Sequence, residues 1–314
     1  MIELLLCTLI WGASFIAQKL GADHFGPFAI NCYRNLLAGV FLIICLKVRN
    51  RRLRALRAEC PLPSEPAPDR PIGQFERTTA KREFFGGALS GLCVFAAMLT
   101  QQLGIERTTP GVSAFLTANY VLLVPVFGIC LGRRAGWPVW GGVSLALLGT
   151  FLICIPDVFS STSSLRLGSG EAWTLLCAAL FAVQILTVDH FAPGGDMLRF
   201  SLVQMSVAGL VALPFVFLPS EVARVSWTGF VKGVPALIWL GVISSGIAYT
   251  LQNLGQAKVP AALASIIMSL EGVFAALFGW LILGDQMTAW QLTGCAFVFA
   301  AVVFSQLSTL RRSK

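Results

Sequence analysis

The sequence predicts an all-α integral membrane protein: ten transmembrane helices arranged as two inverted five-helix repeats. Three observations carry this. Of 314 residues, 56% are hydrophobic and 12% charged, whereas a soluble domain carries about 25% charged residues, so the polar coat of a water-soluble chain is missing. The apolar residues fall in ten continuous runs, each near the roughly 20 residues that a helix needs to cross a bilayer. The basic residues gather in the segments that would lie on one side of a membrane. An outer-membrane barrel is excluded, because its strands alternate apolar and polar residues, and these runs do not alternate.

In order, the spans read at 2–20, 28–46, 84–104, 111–131, 138–155, 170–188, 198–218, 234–253, 261–283 and 290–308. Most connections are short, which makes sequence neighbours antiparallel hairpins. The first span is not expected to be a cleaved leader. Met1-Ile2-Glu3 lacks a basic start, and Trp11, Gln18 and Lys19 do not read as a leader core followed by a small-residue cleavage site. Segment 47–83 holds ten Lys/Arg, five Asp/Glu and five prolines between Pro61 and Pro71; it cannot bury a core of its own and reads as a flexible cytoplasmic linker. Residues 309–314 form a basic tail. Eight of the nine cysteines lie in apolar runs and there is no C-x-x-C, so they read as buried thiols acting as small hydrophobes.

Orientation follows from the charges. With the N-terminus inside, the inner segments carry 17 basic residues and the outer ones five: Lys19, Arg107, Arg166, Arg224 and Lys232. That asymmetry places both termini in the cytoplasm of a cell membrane, the inner membrane of a bacterium. The net charge of +8 equals the excess of the 47–83 segment and the tail. It is a topology signal rather than a nucleic-acid-binding face, and the bilayer is the partner it addresses.

The two halves, 1–155 and 170–308, align weakly but in consistent order. At an offset of 152, Asn119 falls on Glu271, Leu131-Gly132 on Leu283-Gly284 and Gly142 on Gly294. At an offset of 170, Cys7 falls on Cys177, Trp11 on Phe181, Arg34 on Gln204 and Ala38-Gly39 on Ala208-Gly209. Five spans per half force the second half to be inverted, a build that lets a midplane site open to alternate sides.

The start Trp11-Gly12-Ala13-Ser14-Phe15, then Pro27 and Arg34-Asn35-Leu36-Leu37-Ala38, together with the run Ala264 to Trp280, Gly284-Asp285, Gly294, Gln204 and Pro214, resembles the EamA-type transporters of the drug/metabolite transporter superfamily. The resemblance covers nearly the whole chain except 47–83. It departs from the family pattern at Glu271-Gly272-Val273, where members usually have Glu-Pro-Val, and at Gly284-Asp285, where they usually have Gly-Glu. It implies a secondary transporter, and it supports fold and transport class far better than substrate.

Glu271 lies mid-span, about 15 Å from either end at about 1.5 Å per residue. A carboxylate there is costly unless it is paired, protonated or hydrated. It reads either as a cavity residue that binds an amino group or exchanges a proton, or as a hydrogen-bonded strut between helices. Trp11, Ser14 and Gln18 share one helical face, an apolar wall with a few aimed polar groups. Asn119 and Tyr120 sit at the repeat position matching Glu271. Gln101, Gln184, Tyr249 and Gln252 add polar side chains from spans 3, 6 and 8, and the spread of these groups over both halves favours a shared cavity over isolated interhelical bonds. Arg34 reads as a snorkelling or carbonyl-bonded residue. Ser265, Ser269, Gly272, Ala276 and Gly279 form a small-residue stripe expected to pack closely against another helix.

His24 and His190 fall on opposite sides, so no shared metal site is expected, and no cofactor. No H-E-x-x-H, G-x-S-x-G or phosphate-binding loop occurs, so no catalytic residue is assigned and the chain is not read as an enzyme. No segment could supply a nucleotide-binding domain, which leaves a gradient as the energy source. The resulting expectation is a transporter of a small metabolite, amino-acid-like or amphipathic, moving it outward by alternating access. The alternatives are an importer or exchanger of a polar solute such as a sugar derivative, and a membrane protein that does not transport.

Overall fold

The computed structural model describes residues 1–59, 72–107, 110–133, 135–160, 168–224, 226–284 and 288–312. The regular structure of the described residues is helical. The spans are α1 (Ile2–Ala22), α2 (Pro27–Glu59), α3 (Ile72–Ile105), α4 in two pieces (Pro110–Ala118 and Tyr120–Cys130) and α5 (Trp137–Ser160). The second half has α6 (Ser169–Phe191), α7 (Met197–Ala212), α8 (Trp227–Ile238, a π-helical stretch Trp239–Ala248, then Tyr249–Gln256), α9 (Ala261–Met268, Leu270–Phe278, then a π turn Gly279–Leu283) and α10 (Ala289–Arg312). Eight described helices are long and apolar enough to cross a membrane, and Trp137–Ile153 and Ala289–Ser305 are shorter apolar helices. The ten-helix membrane fold predicted from composition and runs of apolar residues is therefore present.

One expectation needs correcting. The chain does not loosen throughout 47–83: α2 continues to Glu59 and α3 begins at Ile72. The charged residues after Lys47 extend a helix already nucleated in the apolar run, and propagation costs far less than nucleation. The proline cluster from Pro61 to Pro71, the centre of the expected linker, lies outside the described residues, as do Asp285 and the last two residues of the tail.

Glycine contacts show how the halves sit. A Cβ on Gly39 of α2 would meet Ser206 of α7, and one on Gly209 would meet Leu36; the numbers run in opposite senses, so α2 and α7 are antiparallel. The same holds for α5 and α10, where Gly142 faces Ser305 and Gly149 faces Gly294. Both of these pairs are repeat mates, and both are inverted. By contrast, α2 lies parallel to α8, with Leu37 against Gly241 and Phe41 against Gly246. Its exchanged counterpart, α7 with α3, is also parallel, with Val203 against Gly87 and Val207 against Gly91. Small residues at these crossings let the backbones approach closely where no hydrophobic force separates helix from lipid. The turns after α4 and α9 also match, each closed by a left-handed glycine, Gly132 at φ 78° and Gly284 at φ 75°.

Two polar faces cap the bundle. On one, the N-terminal segment and alternate turns meet through ion pairs of Lys258 with Glu3 and of Arg133 with Asp189, and through Arg49 to Asp196 at 2.5 Å. On the other, Arg224 pairs with Glu106 at 2.9 Å. Each face carries a carboxylate that accepts from a backbone N–H near the start of a span. Glu83, three turns into α3, accepts from Asp196 N at 2.7 Å beside α7, and Glu221, just before α8, accepts from Ala29 N at 3.0 Å in the first turn of α2. Burial raises the Glu221 carboxyl above the ordinary range, and the N–H groups of Ala29 and Phe28 offset part of this. Large apolar side chains such as Phe84, Phe85, Trp137 and Trp227 are exposed on the outside, where lipid would cover them.

The small-residue stripe is buried at Ser265 and Ser269, but the expected close contact is absent at Gly272. The tight contact of α9 is made by Gly12 of α1, whose Cβ would sit 2.5 Å from Phe274 Cβ, whereas a Cβ on Gly272 meets nothing. A Cβ on Gly294 would sit 2.5 Å from Gly149 O, so Gly294→Val is expected to cost about 1–3 kcal/mol, seen as a lower melting temperature in detergent. Gly272→Ala is expected to leave that temperature unchanged, and equal losses for the two variants would refute the packing described.

Candidate functional site

Spans α4 and α9 are both interrupted near the bilayer middle. The breaks are at Asn119 (φ −61°, ψ −11°) and Ser269 (φ −62°, ψ −13°). Flattened ψ tightens the turn: Leu122 N bonds to Asn119 O at 3.0 Å, and Gly272 N to Ser269 O at 3.3 Å. The side chains fasten the breaks, Asn119 Nδ2 donating to Phe115 O at 3.1 Å and Ser269 Oγ to Ile266 O at 2.7 Å. A short polar side chain that bonds the preceding turn competes with the helical ladder, which is the local cause of both breaks. Discontinuous helices at the midplane are tolerated in a membrane only where the backbone is covered by protein or lines a cavity.

Just past the breaks, the two pieces present Tyr120 and Glu271. The Tyr120 hydroxyl donates to Glu271 Oε1 at 3.1 Å, both residues being buried. Glu271 lies in the first turn of its half-helix, where the N-terminal dipole favours negative charge. Around them the apolar core of the molecule closes in, formed by Val121, Ile266, Ile267, Leu270 and Val273.

Glu271 and Tyr120 line a cavity with about 40 Å³ of free space in this conformation, room for a few water molecules and below the range typical of occupied small-molecule sites. Its walls come from both halves. Trp11 and Tyr249 stack edge to face at 4.9 Å between ring centroids. The Trp11 indole N–H donates to Ser244 O at 3.3 Å, and that of Trp239 to Ser14 Oγ at 3.1 Å. Gln252 Nε2 donates to Gln184 Oε1 at 3.2 Å. The π-helical stretch of α8 sets Ser244 and Ser245 side by side toward α2, where Arg34 donates to them from Nη2 at 3.1 Å and from Nε at 3.0 Å. Insertions of this kind recur at functional positions in helices.

Nine of the ten residues singled out from sequence line this one cavity: Trp11, Ser14, Gln18, Gln101, Tyr120, Gln184, Tyr249, Gln252 and Glu271. Asn119 does not; it is spent on the helix break beside it. Arg34 corrects the snorkelling expectation. It is 4% exposed, bonds hydroxyls rather than the interface or a carbonyl, and lines the cavity. Sequence reasoning also missed Ser244 and Thr117 as lining residues. The double serine beneath a span-2 arginine is a signal that would have found the first.

The Tyr120–Glu271 bond is testable by a double-mutant cycle in detergent melts. Tyr120→Phe is expected to cost about 1–3 kcal/mol, as does removing one partner of a buried charged group. Combining Tyr120→Phe with Glu271→Leu is expected to cost less than the sum of the two, and strict additivity would show that the pair does not interact.

Comparison with known proteins agrees with this fold. The chain is 24% identical over 97% of its length to an uncharacterized transporter of Archaeoglobus fulgidus, covering 84% of that protein. It is 22% identical to a probable terminal-alkyne amino-acid exporter of Streptantibioticus cattleyicolor, over 99% of this chain and 94% of that one. To the threonine/homoserine exporter RhtA of Escherichia coli it is 24% identical over 74% of this chain and 72% of that protein. One solved crystal structure superposes with a TM-score of 0.69 at 16% identity, covering 100% of this chain and 98% of the other, which shows the shared fold. The model of the EamA-like transporter family matches residues 1–155 and 168–307, and the chain, a multi-pass membrane transporter rather than an enzyme, belongs to that family.

Proposed function

We propose that this transporter moves a small amphipathic, amino-acid-like solute outward by alternating access. In this reading the repeats 1–155 and 170–308 rock against each other around the cavity, in a bacterial inner membrane with both termini in the cytoplasm. The observation that carries it is the pair Tyr120 and Glu271 at the junction of two broken spans, one from each half, on the wall of a cavity that both halves line. An inverted pair of halves has two equivalent arrangements, and broken helices at their contact supply the points at which each half can bend. A carboxylate beside aromatic rings and amides suits a solute with an amino group and an apolar side chain. The basic residues concentrated on one face support the orientation, and the exporters among the relatives support the direction and the solute class.

Glu271 is also the one carboxylate among the described residues lining this cavity, and therefore the group placed to exchange a proton for solute. Purified protein in liposomes tests the reading with a panel of labelled metabolites, beginning with amino acids. Glu271→Ala is expected to abolish flux. Glu271→Gln, which keeps a hydrogen-bond acceptor for Tyr120, is expected to separate residual solute movement from accompanying proton flux reported by an internal pH dye. Full flux by both variants would remove Glu271 from the mechanism, and absence of flux for every solute by the unmodified protein would overturn the proposal.

A further inference from the structure

Among the described residues, the cavity wall carries one carboxylate, Glu271, and one guanidinium, Arg34, which are not paired with each other. Glu271 has its Tyr120 hydroxyl. Arg34 has the hydroxyls of Ser244 and Ser245, and no carboxylate of the described residues forms an ion pair with it. A guanidinium cannot shed its proton in a protein, and an uncompensated charge buried at this depth is costly.

The repeat mate of Arg34 makes the equivalent contact without a charge. Gln204 of α7 reaches across to α3 and donates from Nε2 to Ser90 Oγ at 2.8 Å. Arg34 of α2 reaches across to α8 and donates to Ser244 Oγ at 3.1 Å. The same interhelical bond is thus made by a neutral amide in one half and by a guanidinium in the other. What remains distinctive at Arg34 is a permanent positive charge on the cavity wall.

We infer that Arg34 is the anion-binding group of the cavity and takes the carboxylate of a zwitterionic α-amino acid, whose ammonium is held by Glu271. Two features narrow the ligand to a zwitterion. A monovalent cation would satisfy Glu271 and leave Arg34 bare, and a monovalent anion would do the reverse; only a ligand with both charges compensates both walls. Gln252 Oε1, buried in the same wall and without a hydrogen-bond partner, is a second acceptor for an ammonium group. The planar fork of arginine suits a carboxylate better than any other side chain does.

This inference rests on the transport reading above, and the test separates the two. The full-length protein in detergent is melted with each of the twenty common L-amino acids, and then with the carboxamide of any that stabilises it. At least one amino acid is expected to raise the melting temperature. Its carboxamide, which keeps the ammonium and loses the negative charge, is expected to bind at least about tenfold more weakly. Arg34→Gln, which copies Gln204, is expected to lose a similar factor for the amino acid, with its unliganded melting temperature close to that of the parent. If that variant does not fold, the carboxamide comparison on the unmodified protein decides alone. Equal binding of acid and carboxamide, or undiminished binding by a folded Arg34→Gln, would overturn the role of Arg34. No stabilisation by any amino acid would overturn it too. In each of these cases Glu271-dependent flux of a solute in liposomes would leave the transport reading standing.

Discussion

The structure depends on one constraint: a carboxylate in the middle of a membrane must be given partners by the protein. Glu271 receives a hydroxyl from Tyr120, 151 positions earlier in the chain, and the first turn of a half-helix. The second of these depends on the break of α9 at Ser269, which places Glu271 at the start of a new helical piece. The same helical piece packs tightly against α1 at Gly12. The apolar residues packed around the pair lower the local dielectric, which strengthens the polar contacts made there.

Inversion explains how a single chain builds such a site. Each structural task is done twice, once per half and on opposite faces. Glu83 and Glu221 receive backbone N–H groups near the starts of α7 and α2. Gly132 and Gly284 close matching turns. Where the halves use the same kind of residue, the task is architectural. Where they differ, as at Arg34 and Gln204, or at Tyr120 and Glu271 beside the two breaks, the cavity acquires polarity. Function in this fold is written in the departures from its own symmetry.

How much of this was legible beforehand follows from physical range. Ten spans could be read because hydropathy over about 20 residues is a local signal that a bilayer enforces. The inverted arrangement could be read from parity and charge. Polar residues inside spans could be gathered into one site because a membrane leaves them few places to go. The side-chain partners were not legible. Asn119 was grouped with the cavity because it occupies the matching repeat position, yet its amide bonds the preceding turn and breaks the helix. Arg34 was sent to the interface because a long cationic side chain near a span end usually reaches water; only the packing of the π-helical part of α8 shows two serines waiting for it. The helical extension through Glu59 was missed because charge content was weighed without the apolar run that nucleates the helix.

The central claim is that one cavity between the broken spans is exposed to each side of the membrane in turn. Labelling of a cysteine introduced at Ser14, compared with the unsubstituted chain, tests it most directly. A membrane-impermeant thiol reagent is applied to vesicles of each orientation. The account requires labelling from both sides, with protection by any solute that the protein carries. Labelling that stays confined to one side, under all solute and pH gradients, would contradict it.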